Sequence, residues 1–588
     1  RKIGPGRLLV SALAPVLASA LVAWPAAAAL PPDSAVYSYV RGRVAAGQSQ
    51  IPEAGRNLSV ALAADRADPA VRAWSFEVAL VAGDQRAAFR LAEQIPPGGM
   101  AAVEGTRFGF NDALVALTRT VAAAQVRDWR AFDRARQGFP DPRPGASPVV
   151  SPLLDAWGRV GRGDIDAALA LLEGPDALGV SRSFMAEHRA HVLAAGRRWP
   201  EAADAYAELL AGEGANVPRL RLQAAAALLE AARVDPSRRE ALRSRAIALL
   251  GAGPARDPLL VDARARLSAN PMMDGRALLG GVSMGPAEGM AQLFLRLAVE
   301  SSRERPIPVS IAFGRLATFL HPALPEAWLV TGEALSRNGL HDLAMAAFER
   351  TPPGPYRRLA ETRSARAMAL AGRQEEALVR FRALATAPGA TAEDWVQVSD
   401  MERALGRPAA AAEALDRAIA LVGEPVTAEQ AVLWFLRGSA HEQVGNWPQA
   451  EADLRRSVEL QPDNPVFLNY LGYSLLDRGL KLDEADALIA RAYRAAPDNG
   501  AIIDSMGWSA YVRGRFAEAV DLLEQARAAE PSDPTVADHL GDALWRVGRR
   551  IEARQAWASA LSLDPDDKQR AKIARKLDFG LDIATAER

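Results

Sequence analysis

There is no cysteine in these 588 residues. Disulfides, thiol catalysis and thiolate metal sites are therefore excluded, and no residue is available for a cysteine-linked lipid anchor. Lysine is almost as scarce, standing only at Lys2, Lys481, Lys568, Lys572 and Lys576. Charge of one sign is also missing. Lys+Arg number 70 and Asp+Glu 71, a net charge of −1, so no overall field draws in nucleic acid or anionic lipid. Aromatic residues are 6% of the chain, which leaves Ala and Leu to fill the interior. Catalytic constellations are missing too. There is no Gly-Lys-Ser/Thr of a phosphate-binding loop, and His441-Glu442 lacks the second His of a zinc protease helix. Gly281-Val282-Ser283-Met284-Gly285 fits G-x-S-x-G, but that pattern needs a strand before it and a helix after it. Nothing nearby alternates like a strand, so the segment reads as a Gly-rich connector. His188 and His191 share a helix at i,i+3 without a third ligand and read as a surface pair. No enzyme, metal or cofactor is expected.

The first residues read as an address. Arg1, Lys2 and Arg7 precede an apolar run from Leu8 to Ala23, and Pro25 with Ala26 to Ala29 supplies a small-residue cleavage site. This is the layout of an export signal over 1–29. The run falls short of the about 20 residues of a membrane span, and no later stretch is apolar enough. A periplasmic destination in a bacterium is expected, with an uncleaved N-terminal tether as the alternative.

What the chain has in abundance is a repeat. Small residues recur at Gly438, Gly472, Gly507 and Gly541, then Ala at Ala450, Ala485, Ala519 and Ala553, then Pro at Pro462, Pro497, Pro531 and Pro565. The steps are 34 or 35 residues. Four residues after each Ala stands a large side chain, Leu454, Ile489, Leu523 and Trp557, one turn along the same helical face. A small residue where two helices cross, a large one beside it and a Pro that stops the second helix describe a stacked helix pair. Asp463, Asn464, Asp498, Asn499 and Asp533 follow the prolines as turn formers and helix caps.

This spacing resembles the tetratricopeptide repeat. The resemblance implies an all-α, right-handed solenoid of antiparallel helix pairs. It covers Trp434 to Pro565 clearly, and weaker copies extend it in both directions. Tyr39 to Pro69 with Ala54, then Trp74, Gly83 and Ala88, then Asp128 to Phe132, read as early units. Phe139 to Val150, with four prolines, reads as a loop. Gly163/Ala168 and Gly196/Ala202 continue the series, and Arg219–Arg233 and Arg238–Gly251 are helices without its marks. Asn270 to Pro286 breaks the period, and Ala287–Ser301 with Val309–Leu320 forms one helical pair. Trp328, Gly332, Ala344 and Phe348 begin the regular series. The expected organisation is thus 30–270 divergent repeats, 271–320 connector and pair, 321–565 regular array and 566–588 cap. The cap helix, Asp567 to Leu577, carries Lys568, Arg570, Lys572, Arg575 and Lys576 as a solvated outer face.

The resemblance also implies a concave groove on the first helices, lined from the places three before, one after and four after each small residue. Those places hold Phe435, Ser439 and Glu442, then Asn469, Tyr473 and Leu476, then Asp504, Trp508 and Tyr511, then Asp538, Asp542 and Trp545. Asn469, Tyr473, Asp504, Trp508, Tyr511, Asp538, Asp542 and Trp545 are the candidate peptide-binding set. Rings would pack on side chains, and the amide and carboxylates would bond a backbone. An acidic, aromatic groove suits neutral or basic segments. The alternative is that some rings pad the inter-repeat core. The layout resembles long tetratricopeptide adaptors of the bacterial envelope, some of which serve carboxyl-terminal processing proteases. Leu471-Gly472-Tyr473-Ser474-Leu475 and Asp504 to Trp508 carry that resemblance. It implies protein partners, among them a periplasmic protease or its substrates. The second expectation is a structural scaffold in envelope assembly or polysaccharide export. An enzyme with a divergent N-terminal site is the remote third.

Overall fold

The computed structural model describes residues 34–582 apart from 101–102, 104–106, 138–146, 174–179, 213–216, 253–256, 283, 303–307 and 424. The export stretch 1–29 and Ser283 of the G-x-S-x-G segment therefore lie outside the described residues. Among the described residues all regular structure is helical. The chain parts into two compact units, Arg1–Gly372 and Arg373–Arg588.

Unit 1 begins with five antiparallel pairs. They are α1 (Ala35–Gly47) with α2 (Ile51–Ala64), α3 (Pro69–Ala82) with α4 (Gln85–Gln94), α5 (Asp112–Gln125) with α6 (Trp129–Gln137), α7 (Ser147–Gly161) with α8 (Ile165–Leu172), and α9 (Val180–Ala195) with α10 (Trp199–Ala211). Asp68, Asp84, Asn111 and Asp164 cap their helices by accepting a backbone N–H two or three places inside. Of the expected loop over 139–150, residues 139–146 lie outside the described residues and 147–150 belong to α7, which starts at Ser147. Pro148 falls in the first turn, where the missing N–H has no partner to lose. A sixth pair, α11 (Pro218–Val234) and α12 (Arg239–Gly251), is followed by α13 (Pro258–Ala269) and the short α14 (Gly275–Leu278).

Next come α15 (Pro286–Glu300) and α16 (Val309–Leu320), then α17 (Pro325–Arg337), α18 (His341–Glu349) and α19 (Arg357–Leu370). The α15–α16 pair departs from a linear stack, in which each repeat touches only its neighbours. It lies against α3, α5, α7 and α9, the first helices of four successive pairs. A Cβ on Gly289 would stand 2.0 Å from the Trp157 ring, so only Gly admits α15 to α7. Arg315 on α16 is 3% exposed and donates Nε and Nη2 to the Val81 carbonyl at 3.0 and 2.9 Å. Gln125 Nε2 reaches the Phe319 carbonyl at 3.0 Å, and Phe319 meets Phe89 edge-on. The inner face of unit 1 is thus filled by the unit's own chain. Helices α17 to α19 belong here as well, held by Arg219 against Glu326 and by Tyr356 near Asp257.

Unit 2 runs from α20 (Gln374–Thr386) through the pairs α21 (Ala392–Ala404) and α22 (Pro408–Ala420), α23 (Ala431–Gln443) and α24 (Trp447–Leu460), α25 (Pro465–Asp477) and α26 (Leu482–Ala495), α27 (Gly500–Val512) and α28 (Phe516–Ala529), and α29 (Pro534–Arg546) and α30 (Arg550–Ser562), to a final α31 (Asp567–Phe579). A Cβ on Gly438, Gly472, Gly507 or Gly541 would come to 2.9, 2.8, 2.7 and 2.3 Å from Leu454, Ile489, Leu523 and Trp557 respectively. Ala450, Ala485, Ala519 and Ala553 are wholly buried. A second glycine series, absent from the sequence reading, sits in the turns between helices. Gly445, Gly479, Gly514 and Gly548 hold φ of 78°, 64°, 74° and 84°, a region costly for any residue with a Cβ. Asn464, Asn499 and Asp533 cap α25, α27 and α29.

Candidate partner-binding groove

The first helices α23, α25, α27 and α29 carry the candidate residues, and their environments change along the array. At α23, Phe435 stacks on Phe467 with ring centres 4.8 Å apart and meets Tyr470 edge-on at 5.1 Å. Ser439 Oγ lies 2.9 Å from the Tyr470 hydroxyl, and Glu442 pairs with Arg478 at 2.8 Å. Burial, then the hydrogen bond to Glu442, pushes the Tyr470 phenol up to about 12.

On α25, Asn469 and Tyr473 are half-buried, whereas Leu476 is core. Asn469 Oδ1 has no hydrogen-bond partner among the described residues. The Tyr473 phenol is pushed up by burial and by the neighbouring Asp504 charge, so it stays a neutral donor.

On α27 the rings are ordered into a stack. Trp508 lies on His539 at 4.0 Å and 14°, and on Tyr511 at 4.6 Å and 8°. Asp504 is buried and accepts His539 Nδ1–H at 3.0 Å. Burial opposes charge on His539, but Asp504 and the acids near it outweigh that and raise its pKa above the ordinary value. Trp508 and Tyr511 are half-buried, so the stack keeps part of its surface in solvent.

At α29 the expected acids do not stand free. Asp538 and Asp542 are buried and share Lys576 Nζ at 2.8 Å each. Asp542 also accepts Trp557 Nε1–H at 3.0 Å. Burial and then Asp538 raise the Asp542 carboxyl against the pull of Lys576, while its two acids outweigh burial to raise the Lys576 ammonium. Trp545 is buried against Trp557 and Gly580 and donates to Asp582 at 3.0 Å. The face expected to be solvated on α31 is therefore split. Lys568, Lys572 and Arg575 are exposed, Arg570 pairs with Asp564 at the exposed end, and Lys576 turns inward.

One row of residues escaped the sequence reading. Tyr470 and His539 stand two places before the small residue of their helices, and each packs on the preceding repeat's groove positions. Their rarity was the available signal: the chain has 6 His and 8 Tyr. In unit 1, His188 and His191 are fully buried, which corrects the expected surface pair. Trp157 Nε1–H donates to His188 Nδ1 at 3.1 Å, and His191 Nδ1 lies 2.7 Å from the Tyr206 hydroxyl. Burial, then the His191 charge, lowers the His188 pKa to about 3. Glu187, beside His191, bonds Arg296 from α15. Burial alone would raise the Glu187 carboxyl, but His191 and Arg296 bring it to about 2. Among the described residues no group of three His, Asp or Glu could hold a metal, and no helix is long and apolar enough to cross a membrane.

The profile of the tetratricopeptide repeat matches residues 399–465, 435–500 and 505–568. Those are the helix pairs whose Gly–Ala crossings are described above. Residues 399–500 and 505–568 carry tetratricopeptide repeats. The chain is 31% identical over 99 residues to the TPR repeat-containing protein PA4667 of Pseudomonas aeruginosa, an alignment covering 17% of this chain and 17% of that protein. Among solved structures, the Cut9 and Hcn1 hetero-tetramer of the APC/C aligns over 92% of this chain and 96% of its own at 16% identity, with a TM-score of 0.36. A thermophilic TPR protein of Thermus thermophilus aligns over 32% of this chain and 99% of its own at 23% identity, with a TM-score of 0.28. These superpositions are loose, and the assignment rests on the repeat profile and the crossing geometry. Tetratricopeptide repeats imply a protein–protein interaction scaffold.

Proposed function

We propose that unit 2 is a non-enzymatic scaffold of the bacterial cell envelope that holds a segment of a partner protein along α23, α25 and α27. We further propose that it acts as an adaptor for a periplasmic processing protease. The observation that carries the groove is the contrast along it. At α29 the acids are already matched by Lys576 and Trp557, whereas on α25 and α27 Tyr473, Trp508 and Tyr511 are half-buried rings that keep part of their surface in solvent. Half-buried aromatic rings are what an extended segment with apolar side chains would cover. Lys576, seated between Asp538 and Asp542, gives the kind of side chain the groove accepts: apolar stem, basic end. The envelope location is supported by the export-like pattern of 1–29, and the adaptor role by the resemblance in sequence layout.

The test is a pull-down from periplasmic extract with the full chain and with Trp508→Ala/Tyr511→Ala. Both rings are half-buried, so the variant is expected to lose about 1–2 kcal/mol and keep its helical circular dichroism. Loss of a protease or its substrate from the eluate supports the adaptor reading. An unchanged set of partners sinks the groove.

A further inference from the structure

We propose that unit 1 carries a second site, for a small organic acid with a flat apolar body and one hydrogen-bond donor. It is a cavity of ≈ 560 Å³ between α10, α11 and α14. Nothing in the tetratricopeptide groove of unit 2 takes part in it. Ala226 and Ala227 of α11 give it a smooth apolar floor, and Trp199 and Tyr206 of α10 line it with rings. The Tyr206 hydroxyl is held 2.7 Å from His191, and the residue is 1% exposed.

Two polar features are unspent. Gln223 is 5% exposed, lines the cavity, and its Oε1 has no partner among the described residues. A buried acceptor without a donor is costly, and a ligand N–H or O–H would satisfy it. Arg197 and Arg276 line the same cavity and pair with no carboxylate among the described residues; Arg276 spends only Nε, on the Gly281 carbonyl at 3.1 Å. Two acids line the cavity: Glu230 is committed to the Arg276 backbone N–H and to Arg233, both at 3.1 Å, and Asp274 caps α14 by accepting the Ala277 N–H at 2.7 Å. Two unpaired guanidinium groups, an orphan acceptor and aromatic walls therefore select an anion, a donor and a ring in one molecule. Arg197 sits at φ 58°, in the turn place that glycine fills in most other repeats. Arg127 holds the equivalent turn of an earlier pair at φ 57°, and a glycine at either place would relieve the backbone.

Three probes differ by one feature each: indole-3-acetate, indole-3-acetamide without the charge, and 1-methylindole-3-acetate without the N–H. Isothermal titration of the full chain is expected to show saturable binding of the acid with Kd on the order of 1 mM or tighter. The amide and the N-methyl acid should each bind about tenfold more weakly. Arg197→Ala/Arg276→Ala changes exposed side chains and should abolish the preference for acid over amide. Gln223→Met should abolish only the preference for N–H over N-methyl. Arg197→Gly should weaken the acid while raising the melting temperature, so that the lost binding is not lost folding. Absence of saturable heat, or retention of either preference in the matching variant, overturns the site.

Discussion

The two units solve the same problem, an inner face of first helices, in opposite ways. In unit 1 the face is covered by α15 and α16, locked through Gly289 against Trp157 and Arg315 on the Val81 carbonyl. In unit 2 the face is left to half-buried rings, and the chain closes only its last turn with α31. Their buried histidines differ in the same sense. His188 is kept neutral by burial, whereas Asp504 shifts His539 toward its charged form. One repeat grammar thus yields a closed body and an open groove, according to what the chain places against the first helices.

The largest expected effects test the crossings and the plug. Ala519→Glu forces an unpaired charge between α27 and α28 and should cost about 4 kcal/mol. Gly289→Val should cost about 3 kcal/mol by driving α15 off Trp157. Hydrogen exchange should place the first loss of protection in unit 2 and the second in unit 1. If Gly289→Val leaves unit 1 fully protected, α15 does not seal its face. Lys576→Met should cost about 3 kcal/mol, because it strands two buried carboxylates. It should also open the end of the groove to basic segments, measurable as tighter binding of a lysine-bearing peptide.

Next come the opposed pH dependences. His188 has a folded pKa below its unfolded value, so the unfolded chain binds a proton that the folded one refuses. Its stability contribution is lost as pH falls below 6.5 toward about 3. His539 is raised, so its contribution is complete below 6.5 and is lost as pH rises through the elevated folded value. Thermal melts should lose their dependence between pH 4.5 and 6.5 in His188→Gln, and above 6.5 in His539→Gln. Equal profiles for the two variants would break the comparison. The smallest expected effect is Asn499→Ala, about 1 kcal/mol from the lost cap of α27, seen as a small shift in the denaturant midpoint.

The crossings were legible because Gly, Ala and a large residue recur at fixed spacing, and periodicity survives without any knowledge of tertiary contacts. The groove was legible only by position. Sequence placed Asp504, Asp538 and Asp542 on a face, but their partners come from later in the chain: His539, Lys576 and Trp557. The plug was not legible at all. Val309–Leu320 reads as an ordinary repeat helix, and nothing local says that it packs on α3 and α5 rather than on the next pair. The burial of His188 follows from that same long-range packing.

The α15–α16 plug also sets an order of assembly. A linear array can nucleate anywhere and grow pair by pair. Unit 1 cannot, because Arg315 must find a carbonyl 234 residues earlier. Its early helices emerge with their inner faces bare and stay so until residue 320 is available. Unit 1 is therefore the slow, collision-prone half of the polypeptide during synthesis. The repeats of unit 2 can close as fast as they appear.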